Sequence, residues 1–379
     1  MVFVTQEFSE KENVHPMNQI KVLFILNDLG GGGAEKVFVH LANGFRSNGL
    51  AVEILLAENK GVFFNLVSSE IPIHILGTKS FFGLVKKLPA FFKDKSYTHV
   101  FVAFDYISAA TIISNRSLKD KFITIATLHY YLPYQLAVLP RANRIWLQLL
   151  NKYIISKAEK LVSVSKGVGE GFKKVVQDKD LYVQTIYNPV VEPTLFNLAK
   201  EDIEDGYKKM NYIITIGRLD EQKNQKRLLY SFKSVLQQRA DLHLLILGAG
   251  SKEAELKETC EILSIQKNVH FLGFQSNPFK YLSHAKLFVL SSDYEGLGNV
   301  IIEALALGIN VVSTDCLSGP REILDDEKYG WLAEMNHPEE LAAKIILALD
   351  NLKPDWFLKE RSKLFEKDMI VREYMALVE

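Results

Sequence analysis

The sequence predicts an α/β chain of two doubly wound domains, each a parallel sheet covered by helices on both faces, set across a central cleft. Three observations carry that expectation. Short β-branched apolar runs alternate with longer stretches of helical periodicity, the pattern of repeated βαβ units. The pattern occurs twice, and the break between the two series, Asn188-Pro-Val-Val-Glu-Pro193, holds two prolines. The 379 residues are 48% hydrophobic and 24% charged, an ordinary globular balance with enough apolar material for two cores.

Taken in order, residues 1–16 are polar and acidic without an apolar core, so they read as a disordered extension rather than a secretory signal. The first domain is expected over 17–192, with strands at 22–26, 52–57, 71–76, 99–103, 122–127, 161–164 and 185–187. The second is expected over 193–359, with strands at 212–216, 242–247, 269–272, 287–290 and 311–314. Two cysteines, Cys260 and Cys316, cannot build a disulfide framework, which suits a reducing, cytoplasmic compartment. No run reaches the 18 or so apolar residues that span a bilayer, so any membrane attachment is expected to be peripheral. Net charge is zero, but residues 1–190 carry 22 Lys and Arg against 15 Asp and Glu, and the remainder 23 against 30. A basic half suits anionic lipid or an acidic acceptor. No nucleic-acid-binding motif is present, and nucleic acid is not an expected partner. Residues 79–95 mix Lys79, Lys86, Lys87, Lys93 and Lys95 with four phenylalanines around Pro89. This segment reads either as an interfacial helix on anionic lipid or as a helix packed on the sheet with its lysines outward.

The chemistry is concentrated at strand ends. Ser291-Ser-Asp-Tyr-Glu-Gly-Leu-Gly-Asn-Val-Ile-Ile-Glu303 follows one strand and runs into a helix. Its glycine turn would end at a helix N-terminus, where free N–H groups and the helix dipole favour an anion. Glu295 and Glu303 flank that position and can accept hydrogen bonds from hydroxyls. A ligand with phosphate in the middle and hydroxyls at both ends is a nucleotide sugar. Ile216-Gly-Arg-Leu-Asp-Glu-Gln-Lys-Asn-Gln225 places Arg218 and Lys223 at another strand end, where two cations suit a departing diphosphate. Asn27-Asp-Leu-Gly-Gly-Gly-Gly-Ala-Glu35 leads from the first strand into a helix expected near Ala34, its glycines permitting close approach to a ligand. The dinucleotide fingerprint G-x-G-x-x-G fails there and at Gly248-Ala-Gly250, which weakens nicotinamide binding. His129 ends a strand on the opposite domain.

In this order, Gly-Gly-Ala-Glu, Gly217-Arg-Leu with Lys223-Asn-Gln, Gly248-Ala-Gly250, Glu295-x7-Glu303 and Ser318-Gly-Pro-Arg-Glu322 resemble the retaining glycosyltransferases of family 4. That resemblance covers the chain from Met17 onward and implies the GT-B fold of two Rossmann-like domains. It implies that Glu295 contacts sugar hydroxyls of the donor and Glu303 the ribose, while Arg218 and Lys223 hold the diphosphate. Gly31, Gly32, Gly33 and Gly248, with the Gly298, Asn299 and Val300 amides, would line the donor, and His129 would lie by the transferred sugar. It further implies a C-terminal helix within 360–379 returning to the first domain, no metal, no cofactor beyond the nucleotide-sugar co-substrate, and a UDP-sugar donor. The implied acceptor is a lipid-linked or cell-surface oligosaccharide. Two features depart from the pattern: four consecutive glycines leave the register of phosphate contact open, and Leu297 stands where relatives often carry an aromatic residue.

Other readings remain. A glycoside hydrolase needs its carboxylates roughly 5–9.5 Å apart, whereas two Glu eight residues apart along one helix would be separated by roughly 12 Å. A metal-dependent transferase needs an Asp-x-Asp, and only Asp178-Lys-Asp180, in a charged stretch, fits. A sugar-nucleotide epimerase and a catalytically silent subunit of the same fold are the two alternatives kept.

Overall fold

The computed structural model describes residues 20–30, 32–103 and 105–379; the expected extension at 1–16 and the candidate Gly31 lie outside the described residues. The first half opens with β1 (Lys21–Leu26), α1 (Gly33–Ser47), β2 (Ala51–Leu56), β3 (Ile73–Ile75), α2 (Phe81–Phe92) and β4 (His99–Ala103). Then come α3 (Asp105–Ser117), β5 (Ile123–Leu128), α4 (Leu132–Val138), α5 (Arg141–Tyr153), β6 (Lys160–Ser163), α6 (Lys166–Val176) and β7 (Gln184–Thr185). Short helices α7 (Pro193–Leu198) and α8 (Asp205–Lys208) lead to β8 (Tyr212–Ile216), α9 (Gln225–Leu236), β9 (His243–Leu247), α10 (Glu253–Ile262) and β10 (Val269–Gly273). The chain continues through α11 (Phe279–Leu282), β11 (Leu287–Leu290), α12 (Asn299–Ala306), β12 (Val311–Thr314), α13 (Pro320–Ile323) and β13 (Trp331–Ala333). It closes with α14 (Pro338–Asp350), α15 (Asp355–Ser362) and α16 (Lys367–Met375).

Both sheets are parallel. Their orders are β3-β2-β1-β4-β5-β6-β7 and β10-β9-β8-β11-β12-β13. The central strands β1, β4, β8, β11 and β12 are buried on both faces, which is why they read as unbroken apolar runs. Val22, Phe24 and Leu26 of β1 enter one core layer while Leu23 and Ile25 enter the other. Tyr212 and Ile214 of β8 separate from Ile213 in the same way. The strand order reverses between β1 and β4 and again between β8 and β11. Such switch points open the crevice where ligands bind in this architecture. The loops after β1, β8 and β11 are among those that the sequence singled out.

Several expectations are corrected. The strand expected at 71–76 is reduced to β3, and that at 185–187 to β7. The second sheet has a sixth strand, β13, which its three residues were too few to signal. The segment 188–193, the break between the two series, is fastened where it crosses. Val190 and Val191 N–H both donate to the Phe365 carbonyl, at 3.1 and 3.0 Å, and Lys367 N–H donates to Val191 at 2.9 Å. Residues 79–95 form α2, capped by Ser80 and burying Leu84, Leu88 and Phe92. Lys79 pairs with Glu58, Lys95 with Glu53, and Lys87 donates to the carbonyls of Leu76 and Gly77. The packed-helix reading therefore describes this segment, with Phe82 its one fully exposed phenylalanine.

Helix α16 packs on the first sheet. Ile370, Val371, Tyr374 and Met375 join its core, and a Cβ on Gly44 of α1 would lie 2.6 Å from Val371. Both cysteines are buried and free. Among the described residues no helix is long and apolar enough to cross a membrane.

Candidate active site at the facing switch points

The loop after β8 and the turn after β11 are zipped together. Asp293 N–H donates to the Gln222 carbonyl at 2.8 Å, Ser291 Oγ to the Lys223 carbonyl at 2.8 Å, and Gln222 Nε2 to the Tyr294 carbonyl at 3.0 Å. Beneath them the buried Arg227 binds Asp293 at 2.6 Å and the Ser291 carbonyl at 2.9 Å. Asn224, held in the left-handed region, caps α9 and donates to Asp293 at 3.2 Å. This brace fixes Lys223 and Glu295 against each other, Nζ to Oε1 2.5 Å, with Ser292 Oγ donating to the same carboxylate oxygen at 2.6 Å. Glu295 is 5% exposed. A largely buried charge pair with a hydrogen-bonded carboxylate is a rigid polar centre.

Neither Arg227 nor Asp293 was singled out from sequence, because an arginine three residues into a helix has no spacing signature for a brace. Arg218 does not converge on the Lys223–Glu295 pair. It stands exposed at the mouth, beside Asp220 at 3.2 Å and Gln222 at 3.0 Å. Burial raises the carboxyl of Glu35 on α1, and the Arg218 charge across the cleft acts in the opposite sense. Gly248 is explained by backbone packing: with φ +139°, its Cβ would lie 1.9 Å from the Gly217 carbonyl oxygen.

Glu295 lies in the turn, four residues before α12 begins, and Glu303 lies within the helix, so the two flank the helix N-terminus as the sequence led us to expect. Gly298 is the N-cap of α12 at φ +97°, a conformation that favours glycine. Asn299 at the first turn accepts a hydrogen bond from Asn188 Nδ2 at 2.8 Å. Val300 follows it in the same turn, half-buried. Across the cleft α1 begins at Gly33, beside the expected Ala34, and Gly32 is its N-cap. A Cβ on Gly33 would lie 3.7 Å from the Asn299 side chain. The N-terminal ends of α1 and α12 therefore meet over the same space. Burial raises the Glu303 carboxyl, and Lys36 of α1, its Nζ 4.0 Å away, opposes that shift. Leu297 is 2% exposed and packs into the core of the second domain, so its side chain does not line the cleft.

His129 follows β5 at the facing edge. Thr127 Oγ donates its single proton to the Val102 carbonyl at 3.0 Å, so it accepts from His129 Nε2 at 2.9 Å. That pattern assigns the Nε2–H tautomer and leaves Nδ1 as an acceptor. Burial pulls the imidazole down to about 4. A histidine whose folded value lies below its unfolded one keeps its full stability contribution above pH 6.5. It loses that contribution as pH falls from 6.5 towards 4, where the unfolded chain binds the extra proton. The whole effect is on the order of 3 kcal/mol. Urea midpoints should accordingly fall across that window in the wild type, and less steeply in His129→Asn; parallel slopes would show that His129 is not held neutral.

The domains touch around this space. A Cβ on Gly296 would lie 2.0 Å from the His129 carbonyl oxygen. Ser165 Oγ donates to the Gly296 carbonyl at 2.7 Å, and Tyr134 stacks on Tyr294 with centroids 4.2 Å apart. Glu322 of the Ser-Gly-Pro-Arg-Glu motif accepts from Lys166 N–H at 3.0 and 3.1 Å, capping α6 of the other domain, and from Tyr187 at 2.8 Å. Asp178-Lys-Asp180 is an exposed turn beyond α6, and Asp178 and Lys179 line an open cavity shared with Leu317 and Ser318 of the other domain.

Residues 199–365 match the family described as Glycosyl transferases group 1. Two curated relatives are an uncharacterized glycosyltransferase of Methanocaldococcus jannaschii and a Campylobacter jejuni enzyme. The first is 34% identical over 61% of this chain and 66% of its own length. The second, N-acetylgalactosamine-N,N'-diacetylbacillosaminyl-diphospho-undecaprenol 4-alpha-N-acetylgalactosaminyltransferase, is 33% identical over 59% of this chain and 62% of its own. The chain thus spans just under two thirds of the length of these relatives. Among solved structures, Anabaena HepE in complex with UDP and glucose superposes with a TM-score of 0.78 at 19% identity, over 94% of this chain and 99% of that one. The architecture is the GT-B fold.

Proposed function

We propose that this protein is a retaining glycosyltransferase that moves a hexose or N-acetylhexosamine from a nucleotide-diphosphate sugar, a UDP-sugar, to a lipid-linked or cell-surface oligosaccharide. The observation that carries the reading is the Lys223–Glu295 pair at the β8/β11 switch point, facing His129 across the cleft. The names of the relatives, one an undecaprenol-linked N-acetylgalactosaminyltransferase, support the donor and acceptor classes.

In this reading the diphosphate lies between Lys223, the amides of Gly298, Asn299 and Val300, and Arg218 at the mouth. Lys223 shifts from Glu295 toward phosphate, which frees the carboxylate to accept from sugar hydroxyls. Glu303 takes the ribose end, and the glycine loop at Gly32 and Gly33 closes over the donor from the other domain. His129, neutral and with Nδ1 as acceptor, orients a sugar hydroxyl. The acceptor oxygen attacks the anomeric carbon on the face from which the phosphate leaves. The C–O(phosphate) bond breaks as the new C–O bond forms, and the acceptor's proton passes to the departing diphosphate. The positive field of Lys223 and the helix end offsets the growing charge where other transferases use a divalent ion.

NMR of the first-formed product should show the donor's anomeric configuration, and activity should persist in EDTA. An inverted centre, or a loss restored only by Mn²⁺ or Mg²⁺, would overturn the respective part of the proposal. Conversion of the donor with no acceptor present would instead indicate an epimerase. His129→Ala should lower turnover while leaving affinity for the bare nucleotide within about threefold, since the residue is placed by the sugar.

A further inference from the structure

The first domain carries an apolar face that no part of the described chain covers. On α5, Ile145, Trp146 and Leu149 are exposed by 48%, 39% and 49%, while Leu147, Leu150 and Asn151 are buried against the domain. At about 100° per residue the three exposed positions and Tyr153 fall in one stripe about 100° wide. A helix that packs on its domain through one face ordinarily presents polar residues on the other. The stripe does not stand alone. Trp146 lies 5.3 Å from Tyr106 of α3 and 5.5 Å from Phe81 of α2, ring centre to ring centre, and Phe81 is 5.5 Å from Phe82, which is 81% exposed. Isolated surface apolar residues are normal, but aromatic rings joined across three helices form a patch of the kind that marks an interaction surface.

Charge identifies the partner. Arg141 and Arg144 occupy the exposed first turn of α5, and Lys86 lies one helical turn after Phe82 on α2. Among the described residues no carboxylate pairs with any of the three, whereas Lys79 and Lys95 of the same segment are matched by Glu58 and Glu53. Unmatched cations bordering exposed Trp, Tyr, Phe, Ile and Leu are the composition of a surface that lies in the headgroup region of an anionic bilayer. The patch also starts beside the cleft: α4, whose Tyr134 stacks on Tyr294, ends at Val138 and turns into α5.

We infer that the α5 face, extended by Tyr106 and Phe82, is a docking surface for anionic lipid bilayers. The attachment has two parts, an apolar one through Ile145, Trp146 and Leu149 and an electrostatic one through Lys86, Arg141 and Arg144. This relocates the membrane contact from the lysines of residues 79–95 as a group to α5. It is read from the surface itself, so it stands or falls separately from the sugar-transfer proposal.

The test is co-sedimentation of the full chain with vesicles of phosphatidylglycerol and phosphatidylcholine, and with phosphatidylcholine alone. Wild-type protein should bind the anionic vesicles, more weakly as salt rises. Ile145→Gln/Trp146→Gln/Leu149→Gln should lower that binding at least tenfold at every salt concentration. Arg141→Glu/Arg144→Glu should lower it at low salt and converge on the wild type at high salt. In a Trp356→Phe background, brominated lipid should quench Trp146. Unchanged melting temperatures would show that the variants fold. Three results would overturn the inference: no vesicle binding by the wild type, a triple variant that binds as the wild type does, or a triple variant that only converts a dimer to a monomer. The last would assign the face to a second copy of the chain.

Discussion

Lys223→Ala is expected to lower kcat/KM by about 100- to 1,000-fold, the range for removing one preformed donor from a developing anion. Nucleotide affinity should fall as well, because the same charge holds the diphosphate before it leaves. The substitution has a second effect. Glu295 keeps Ser292 as a hydrogen-bond partner, at 2.6 Å, and is left buried without its cation. Stability should fall by about 2 to 3 kcal/mol, less than for a fully sealed pair because Lys223 retains some access to water. The double variant Lys223→Ala/Glu295→Gln removes the orphaned charge and should recover most of the stability but none of the activity. Urea unfolding of both proteins beside single-turnover kinetics separates the two effects. Catalytic efficiency within threefold of wild type in Lys223→Ala would place the diphosphate elsewhere.

Gly296→Ala should cut turnover by about 10- to 100-fold while leaving each domain folded. Its Cβ would sit 2.0 Å from the His129 carbonyl oxygen, a backbone atom that cannot swing aside as a side chain does. Relief requires the domains to part. At about 1 to 3 kcal/mol for forced overpacking, the closed population falls by that factor. Nucleotide affinity, set largely by the second domain, should change little. Gly248→Ala is the natural comparison. Its Cβ would meet the Gly217 carbonyl within a single domain at 1.9 Å, so it should destabilise that domain instead. Equal melting temperatures for wild type, Gly296→Ala and Gly248→Ala would refute the distinction.

The architecture was legible because parallel strands buried on both faces must be apolar throughout, so β1, β4, β8 and β11 stand out in the sequence. The three residues of β13 leave too little pattern to recognise, and β3 and β7 were expected longer than they are. Lys223, Glu295 and His129 could be picked out because they stand at strand ends, and the structure pairs the first two and sets His129 across the cleft from them. The partners that meet across the cleft could not. Ser165 and Gly296 are 131 residues apart and Lys166 and Glu322 are 156 apart. No local periodicity connects such pairs; only the docking of two finished domains does. Lys36, facing Glu303, was hidden for the same reason. For residues 79–95 composition allowed two readings, and packing chose between them: Leu84, Leu88 and Phe92 supply an inward stripe that the count of lysines and phenylalanines could not show.

The return of α16 has a consequence for how the chain is made. The first sheet emerges from the ribosome early, yet its apolar layer lacks Ile370, Val371, Tyr374 and Met375 until the second domain has been synthesised. Until α16 has been made, a nascent chain therefore carries an open apolar groove along α1, at the Gly44 position where Val371 packs in the finished fold. Chaperone occupancy during synthesis should be concentrated on that groove. Once α16 seats, the groove closes, Lys160 donates to the Leu377 carbonyl at 2.6 Å, and a sheet made early is locked by a helix made after the second domain.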